Sequence, residues 1–230
     1  MKIIELPVQF MYEGQTYYIY PSLIEMNNEL TLVDTGYPGF LPLIESAVKE
    51  QGYDLGQLKH IVITHYDDDH IGSLYDFKQK YPGVTIIAGE REAGFISGEV
   101  KSERLVQAEN LLADMPEEQK EFGQSFVDTL KSLRHVPVDR TVRDGDWLLD
   151  GAFRIMATPG HTSGHISLHL PELGSVITGD AAYIEDGGTE LLVANPQFCL
   201  DLQEAAKSLE LLKSLQARHY YCYHGGSLHI

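Results

Sequence analysis

The chain has 230 residues, 43% of them apolar, and a formal net charge of −17. That is enough apolar material for a full-sized core in one domain, and the negative charge repels a phosphate backbone or an anionic bilayer, so neither nucleic acid nor membrane is an expected partner. Cys199 and Cys222 are too few for a disulfide framework and lie at no zinc-finger spacing; the charged, proline-containing start is no secretory segment and no run nears the roughly 20 apolar residues of a membrane span, so a cytoplasmic protein is expected.

From the N-terminus, residues 2–9, 16–24 and 30–34 read as strands separated by turns at Glu13-Gly14 and Asn27-Asn28. Leu43, Ile44, Ala47 and Val48 share one face of a helix over 41–51, with Gly52 as its stop. The apolar run His60-Ile61-Val62-Ile63 then delivers Thr64-His65-Tyr66-Asp67-Asp68-Asp69-His70-Ile71-Gly72. Carboxylates so crowded repel one another unless cations sit among them, so this segment asks for metal. Ile71, Leu74, Tyr75 and Lys78 keep helical spacing until Tyr81-Pro82-Gly83, which places Asp69 and His70 at a helix N-terminus ahead of a strand over 84–88.

Residues 90–134 are charged and helix-favouring, and predict two or three helices inserted between two halves of one domain spanning 1–230, a natural wall for shaping a substrate. Strands follow over 141–149, 153–157, 165–170 and 175–178. A helix over 202–216 opens on a capping box of Asp201 and Glu204, and a strand over 220–223 leads into His224. The order predicts two packed sheets with helices outside.

Four strand ends share one grammar, a glycine-flanked His or Asp: 64–72, Thr158-Pro159-Gly160-His161, Thr178-Gly179-Asp180 and Tyr223-His224-Gly225-Gly226. Loops at strand ends are where ligands converge on a rigid scaffold. On these motifs and their spacing, the chain resembles the metallo-β-lactamase-fold superfamily, whose first motif reads His-x-His-x-Asp-His and is followed by a lone His, a lone Asp and a last His. The resemblance covers nearly the whole chain and implies an α+β fold, the four-layer αββα sandwich. It implies two divalent metal ions: His65 and His161 match ligands of the first, Asp69, His70 and His224 match ligands of the second, and Asp180 matches the bridging carboxylate.

Asp67 departs from the pattern, standing where the family has its second His. As a carboxylate it can ligate a dication, and it is carried as a metal ligand of harder character. Two dications with Asp69, Asp180 and a hydroxide total about +1, and Asp67 brings the sum to about zero. A neutral cluster is a weaker Lewis acid, and the exchange of imidazole for carboxylate shifts preference from Zn²⁺ toward Mn²⁺ or Fe²⁺. Zinc remains the ion the resemblance implies, and Asp67→His is then expected to raise zinc retention. Asp68 has no ligand role; Asp34 resembles a family position that supports the site from behind the ligands. His165 is read as structural, bonding a loop carbonyl.

Tyr183, three residues after Asp180, resembles a tyrosine of the acyl-homoserine-lactone lactonases that can hydrogen-bond a substrate carbonyl or its oxyanion. The function implied is a dinuclear metal-dependent hydrolase in which a metal-bound hydroxide cleaves a small acyl substrate, a lactone, ester or thioester, with Asp69 passing a proton to the leaving group. The tail after His224 lacks the basic residues with which glyoxalase II enzymes grip glutathione. The alternatives are a di-iron oxidoreductase similar to the flavodiiron core and a catalytically silent metal-binding protein. The sequence leaves the exact substrate and the oligomeric state open.

Overall fold

Two prolines decide where the N-terminal meander breaks. Pro7 and Pro21 have no N–H to give a ladder, so the two longest expected strands become four: β1 (Lys2–Glu5), β2 (Val8–Tyr12), β3 (Gln15–Ile19) and β4 (Ser22–Met26). β2 and β3 pair only with each other as a hairpin, while β1 lies antiparallel to β4. The computed structural model describes residues 1–185, 187–194 and 196–230.

The first half continues with β5 (Glu29–Val33), α1 (Leu41–Glu50), β6 (Leu58–Ile63), the single turn α2 (Asp68–Ile71), α3 (Leu74–Lys80) and β7 (Thr85–Gly89). Three helices follow before the next strand: α4 (Glu90–Ile96), α5 (Glu103–Asp114) and α6 (Lys120–Ser132). β8 (Arg140–Val142) and β9 (Trp147–Leu148) replace the one long strand expected over 141–149, because the chain turns at Asp144-Gly145, with Gly145 at φ +84°. The second half comprises β10 (Phe153–Ala157), β11 (Ile166–Leu170), β12 (Ser175–Gly179), α7 (Leu202–Ser214), β13 (His219–Cys222) and β14 (Gly226–His229). Asp201 caps α7 as expected, accepting from the N–H groups of Gln203 and Glu204, whereas the Glu204 side chain pairs with Lys207.

One sheet runs β1-β4-β5-β6-β7-β8 and the other β14-β13-β12-β11-β10-β9. Alternation along each strand builds the layers. Ile61 and Ile63 of β6 pack outward on Ile44 and Val48 of α1 and Leu74 and Phe77 of α3, while Val62 points inward to Phe153, Ile155 and Leu168 of the other sheet. On the far side Val176, Tyr220 and Cys222 meet Leu209 and Leu212 of α7. The order of layers is helix, sheet, sheet, helix, the αββα sandwich. Each such fully buried aliphatic or aromatic side chain contributes roughly 1.5–3 kcal/mol.

Strand direction positions the site. β5, β6 and β7 are mutually parallel, so their C-terminal ends lie together at one edge of the first sheet. β12 and β13 are parallel in the second sheet and end at the same rim. Asp34, His65, Asp180 and His224 all sit just beyond such ends, as ligand-binding residues of parallel sheets do.

Candidate metal centre

Asp180 stands at the middle of a ring of imidazoles. Its Oδ1 lies 3.4 Å from His70 Nε2, and its Oδ2 lies 3.5 Å from His161 Nε2 and 3.4 Å from His224 Nε2. Two three-residue sets suited to an ion result, His65–His161–Asp180 and Asp69–His70–His224. Asp69 Oδ2 closes the second set, 3.1 Å from His224 Nε2 and 3.7 Å from His70 Nε2.

Backbone and outer side chains fix each ligand. Asp34 sits at φ +65°, a left-handed backbone that a non-glycine residue adopts only under constraint. From there its Oδ1 accepts from the Thr64 N–H (2.9 Å), and its Oδ2 accepts from the Thr64 hydroxyl (2.8 Å) and from His70 Nδ1 (2.9 Å). His70 must therefore carry its proton on Nδ1, which leaves Nε2 turned to the site. The Thr64 hydroxyl gives its proton to Asp34 and so accepts from His65 Nδ1 at 3.1 Å, which turns His65 Nε2 the same way. His65 Nε2, His70 Nε2 and Asp180 Oδ1 are buried without a hydrogen-bond partner. Polar atoms orphaned in this way are costly unless a further group satisfies them, and three that converge suit a cation. The donor set of imidazoles and carboxylates fits a divalent metal.

His165 supports the other side, but not through a loop carbonyl. Its Nε2 accepts from the Asp180 N–H (3.0 Å), and its Nδ1 donates to the Thr158 hydroxyl (2.8 Å), which passes on to Ser167 and then to the Thr178 carbonyl. The contact is so close that a Cβ on Gly179, itself at φ +54°, would lie 2.7 Å from His165 Nε2. Burial and the neighbouring imidazoles hold the His165 pKa well below its usual value, in keeping with a neutral ring that accepts on Nε2.

The field of the site is negative. Burial disfavours a charged imidazole, yet Asp67 takes His161 up to about 9 and Asp180 with Asp69 takes His224 up to about 10. Asp68, buried beside Asp69 and Asp67, is pushed up to about 7. The pocket attracts positive charge.

Residues 16–224 match the family described as the Metallo-beta-lactamase superfamily. The chain belongs to that superfamily. It is thereby placed among the metallo-hydrolases, and no described helix is long and apolar enough to cross a membrane. Among superfamily proteins it is similar to YobT of Bacillus subtilis, described as uncharacterized, with 29% identity over 83% of this chain and 76% of that one. It is also similar to a hydroxyacylglutathione hydrolase of Brucella anthropi, 32% identical over 61% of this chain but only 38% of the enzyme's own length. The metallo-beta-lactamase family protein TTHA1429 of Thermus thermophilus shares the fold at a TM-score of 0.72 and 26% identity, covering 99% of this chain and 74% of the other.

Two residues singled out in the sequence have unforeseen surroundings. Tyr183 is not brought to the cluster: its hydroxyl pairs with Glu185 Oε1 at 3.4 Å, and Glu185 is the charge that acts on it. Asp67 faces the site with Oδ2, 3.0 Å from His161 Nε2 and 3.5 Å from His65 Nε2, but it is also held by Arg104 of α5. Burial alone would raise the Asp67 carboxyl, but the Arg104 guanidinium and the two imidazoles hold it well below the usual carboxylate range.

Four further residues join the site without a role read from the sequence, and only Tyr223 among them lies within one of the four motifs. Glu92 of α4 is fully buried and accepts from the Tyr66 N–H, the Thr162 hydroxyl and the Gly164 N–H at 2.9–3.0 Å, tying α4 to both His-bearing loops. Tyr223 lies against the His70 ring, centroids 3.9 Å apart, and donates to the Asp69 carbonyl. Tyr37 stands near enough for Asp69 and Asp68 to add to burial in raising its phenol above the ordinary value. Arg104 is the fourth. A buried cation was the one recoverable signal, since an extra aspartate in a crowded site asks for one, but 17 lysines and arginines compete for the role.

Proposed function

We propose that the protein is a dinuclear metal-dependent hydrolase of a small acyl substrate: a lactone, ester or thioester. The observation that carries this reading is the position of Asp180, whose carboxylate lies 3.4–3.5 Å from imidazoles of both sets, His161 of one and His70 and His224 of the other. His65, His161 and Asp180, with Asp67 beside them, would hold one ion and Asp69, His70 and His224 the other, with zinc the ion the resemblance implies and Mn²⁺ or Fe²⁺ the ions an added carboxylate favours. When bound, such ions acidify water and polarise a carbonyl.

The chain's own groups do the rest. Asp34 and Thr64 keep the Nε2 atoms of His65 and His70 each turned to its own set, so little reorganisation is needed when substrate arrives. Asp69 is anchored through its backbone by Tyr223 and holds its carboxylate at the partly exposed His224, at the mouth of the site, where it can pass a proton to a leaving alkoxide or thiolate. Tyr37, whose phenol feels these carboxylates, is the candidate wall residue for the acyl group. The similarity to hydroxyacylglutathione hydrolases supports acyl transfer to water as the reaction class, and the shared stretch is too short a part of those enzymes to carry their substrate.

Elemental analysis of protein purified without added metal, followed by a panel of lactones, thioesters, phosphodiesters and a β-lactam, tests the reading. Two ions per chain and hydrolysis of a carbonyl substrate that Asp180→Ala abolishes are expected. Hydrolysis unaffected by Asp180→Ala would sink the mechanism.

A further inference from the structure

Arg104 is 3% exposed and Asp67 is 7% exposed, so both charges are removed from water. The guanidinium meets the carboxylate as a fork: Nε donates to Oδ1 at 3.2 Å and Nη2 to Oδ2 at 2.8 Å. Its remaining arm, Nη1, donates to Gln107 Oε1 at 2.7 Å, one turn along α5, so every nitrogen is engaged within the protein. Arg104 is therefore spoken for, and its charge acts on Asp67 rather than on a substrate.

Its place in the helix makes the same point. Ser102 caps α5, accepting from the Leu105 N–H, and Arg104 is the second helical residue. A cation in the first turn is opposed by the helix dipole, at about 0.3–1 kcal/mol, and gains nothing there without an anion in contact. Burying it as well is tolerable only because Asp67 neutralises it.

We propose that Arg104 is the charge-compensating partner of Asp67, and that the two form one neutral unit standing where the superfamily's motif has an imidazole. This rests on the metal-binding reading of the site. With Asp67 alone the sum of two dications, three aspartates and a hydroxide is about zero; with Arg104 counted it returns to about +1, the value an imidazole would leave. The fork also fixes which oxygen faces the ligands, since Oδ2 is the atom beside His161 and His65.

Competitive zinc titration of the intact chain against a chelator tests the pair without relying on turnover. Arg104→Met unmasks the carboxylate and is expected to tighten zinc at least tenfold, while Arg104→Lys, which keeps the charge, stays within threefold of the wild type. Asp67→His leaves a buried cation facing the ions and weakens zinc at least tenfold. Asp67→His/Arg104→Met, which buries no unpaired charge, folds and recovers affinity to within threefold. Arg104→Met that binds zinc no more tightly than the wild type would overturn the proposal, as would a double variant that fails to bind while the wild type does. A wild-type chain that takes up neither zinc, manganese nor iron would overturn the hydrolase reading itself, and the pairing role with it.

Discussion

The two halves of the centre are supported in different ways. His70 of α2 is oriented by Asp34, and Asp34 is itself tied to Thr64 across the ends of the neighbouring parallel strands β5 and β6, whose register the first sheet fixes. The Asp67 carboxylate beside His65 and His161 is held instead by Arg104, from a helix inserted between β7 and β8. One support is built into the sheet; the other depends on the insertion docking correctly. A sheet edge can be relied on wherever the fold forms, whereas a helix can be exchanged between relatives. The half held by the helix is also the half in which this chain departs from the superfamily's motif.

That contrast can be broken outright or refined. The largest effect is expected at the point shared by both halves: Asp180→Ala removes the carboxylate between the sets, so hydrolysis should vanish and metal content should fall to about half or less by elemental analysis. A carboxylate lost from between two ions outweighs a lost outer partner, which typically costs ~10–100-fold. Asp34→Ala belongs to that second class. It should weaken metal binding ~10–100-fold at the Asp69–His70–His224 set, less at His65–His161–Asp180, which Asp34 reaches only through Thr64, and leave the Arg104–Asp67 pair intact; equal weakening of both ions in a two-site titration would show that the halves are not separately supported.

Glu92→Gln probes the insertion side. All three groups on Glu92 are donors, so the new amide sets an N–H against one of them and leaves it unpaired. A loss of ~1–3 kcal/mol in urea unfolding is expected, with hydrogen exchange rising first in α4 and the 158–164 loop. Unchanged stability would mean that α4 is not clamped through this carboxylate. The smallest effect is expected from Tyr183→Phe. Among the described residues its hydroxyl makes a long, exposed contact with Glu185, so hydrolysis should change by less than about twofold; a loss of a hundredfold or more would show that the tyrosine swings inward with substrate bound.

The contrast also explains a reversal. From sequence, Asp67→His looks like a gain, restoring an imidazole to a zinc motif. Under the pairing proposed above it would bury a cation beside the proposed ions, and only the double change would restore the balance. Isolated reading of a motif position misleads when its partner lies 37 residues away.

Much of this protein was legible in the chain alone, for a specific reason. Motifs at strand ends are local, so the clustering of His65 to His70, the glycines beside His161, Asp180 and His224, and the alternation of Ile61, Val62 and Ile63 all survive as patterns of a few residues. Those patterns determined the αββα layers, the superfamily and the ring of imidazoles and carboxylates. Boundaries were less secure where prolines act: Pro7 and Pro21 split strands whose apolar pattern runs through them.

Tertiary structure alone decided what surrounds each motif. Whether Tyr183 turns toward Asp180 or toward Glu185 depends on the path of its loop, which no spacing encodes. That Glu92 rather than any neighbouring acid is buried follows from how α4 meets the 158–164 loop. The pairing of Arg104 with Asp67 is of the same kind: a buried charge needs an opposite charge, and physics demands that one exist, but only the docking of α5 names which residue it is.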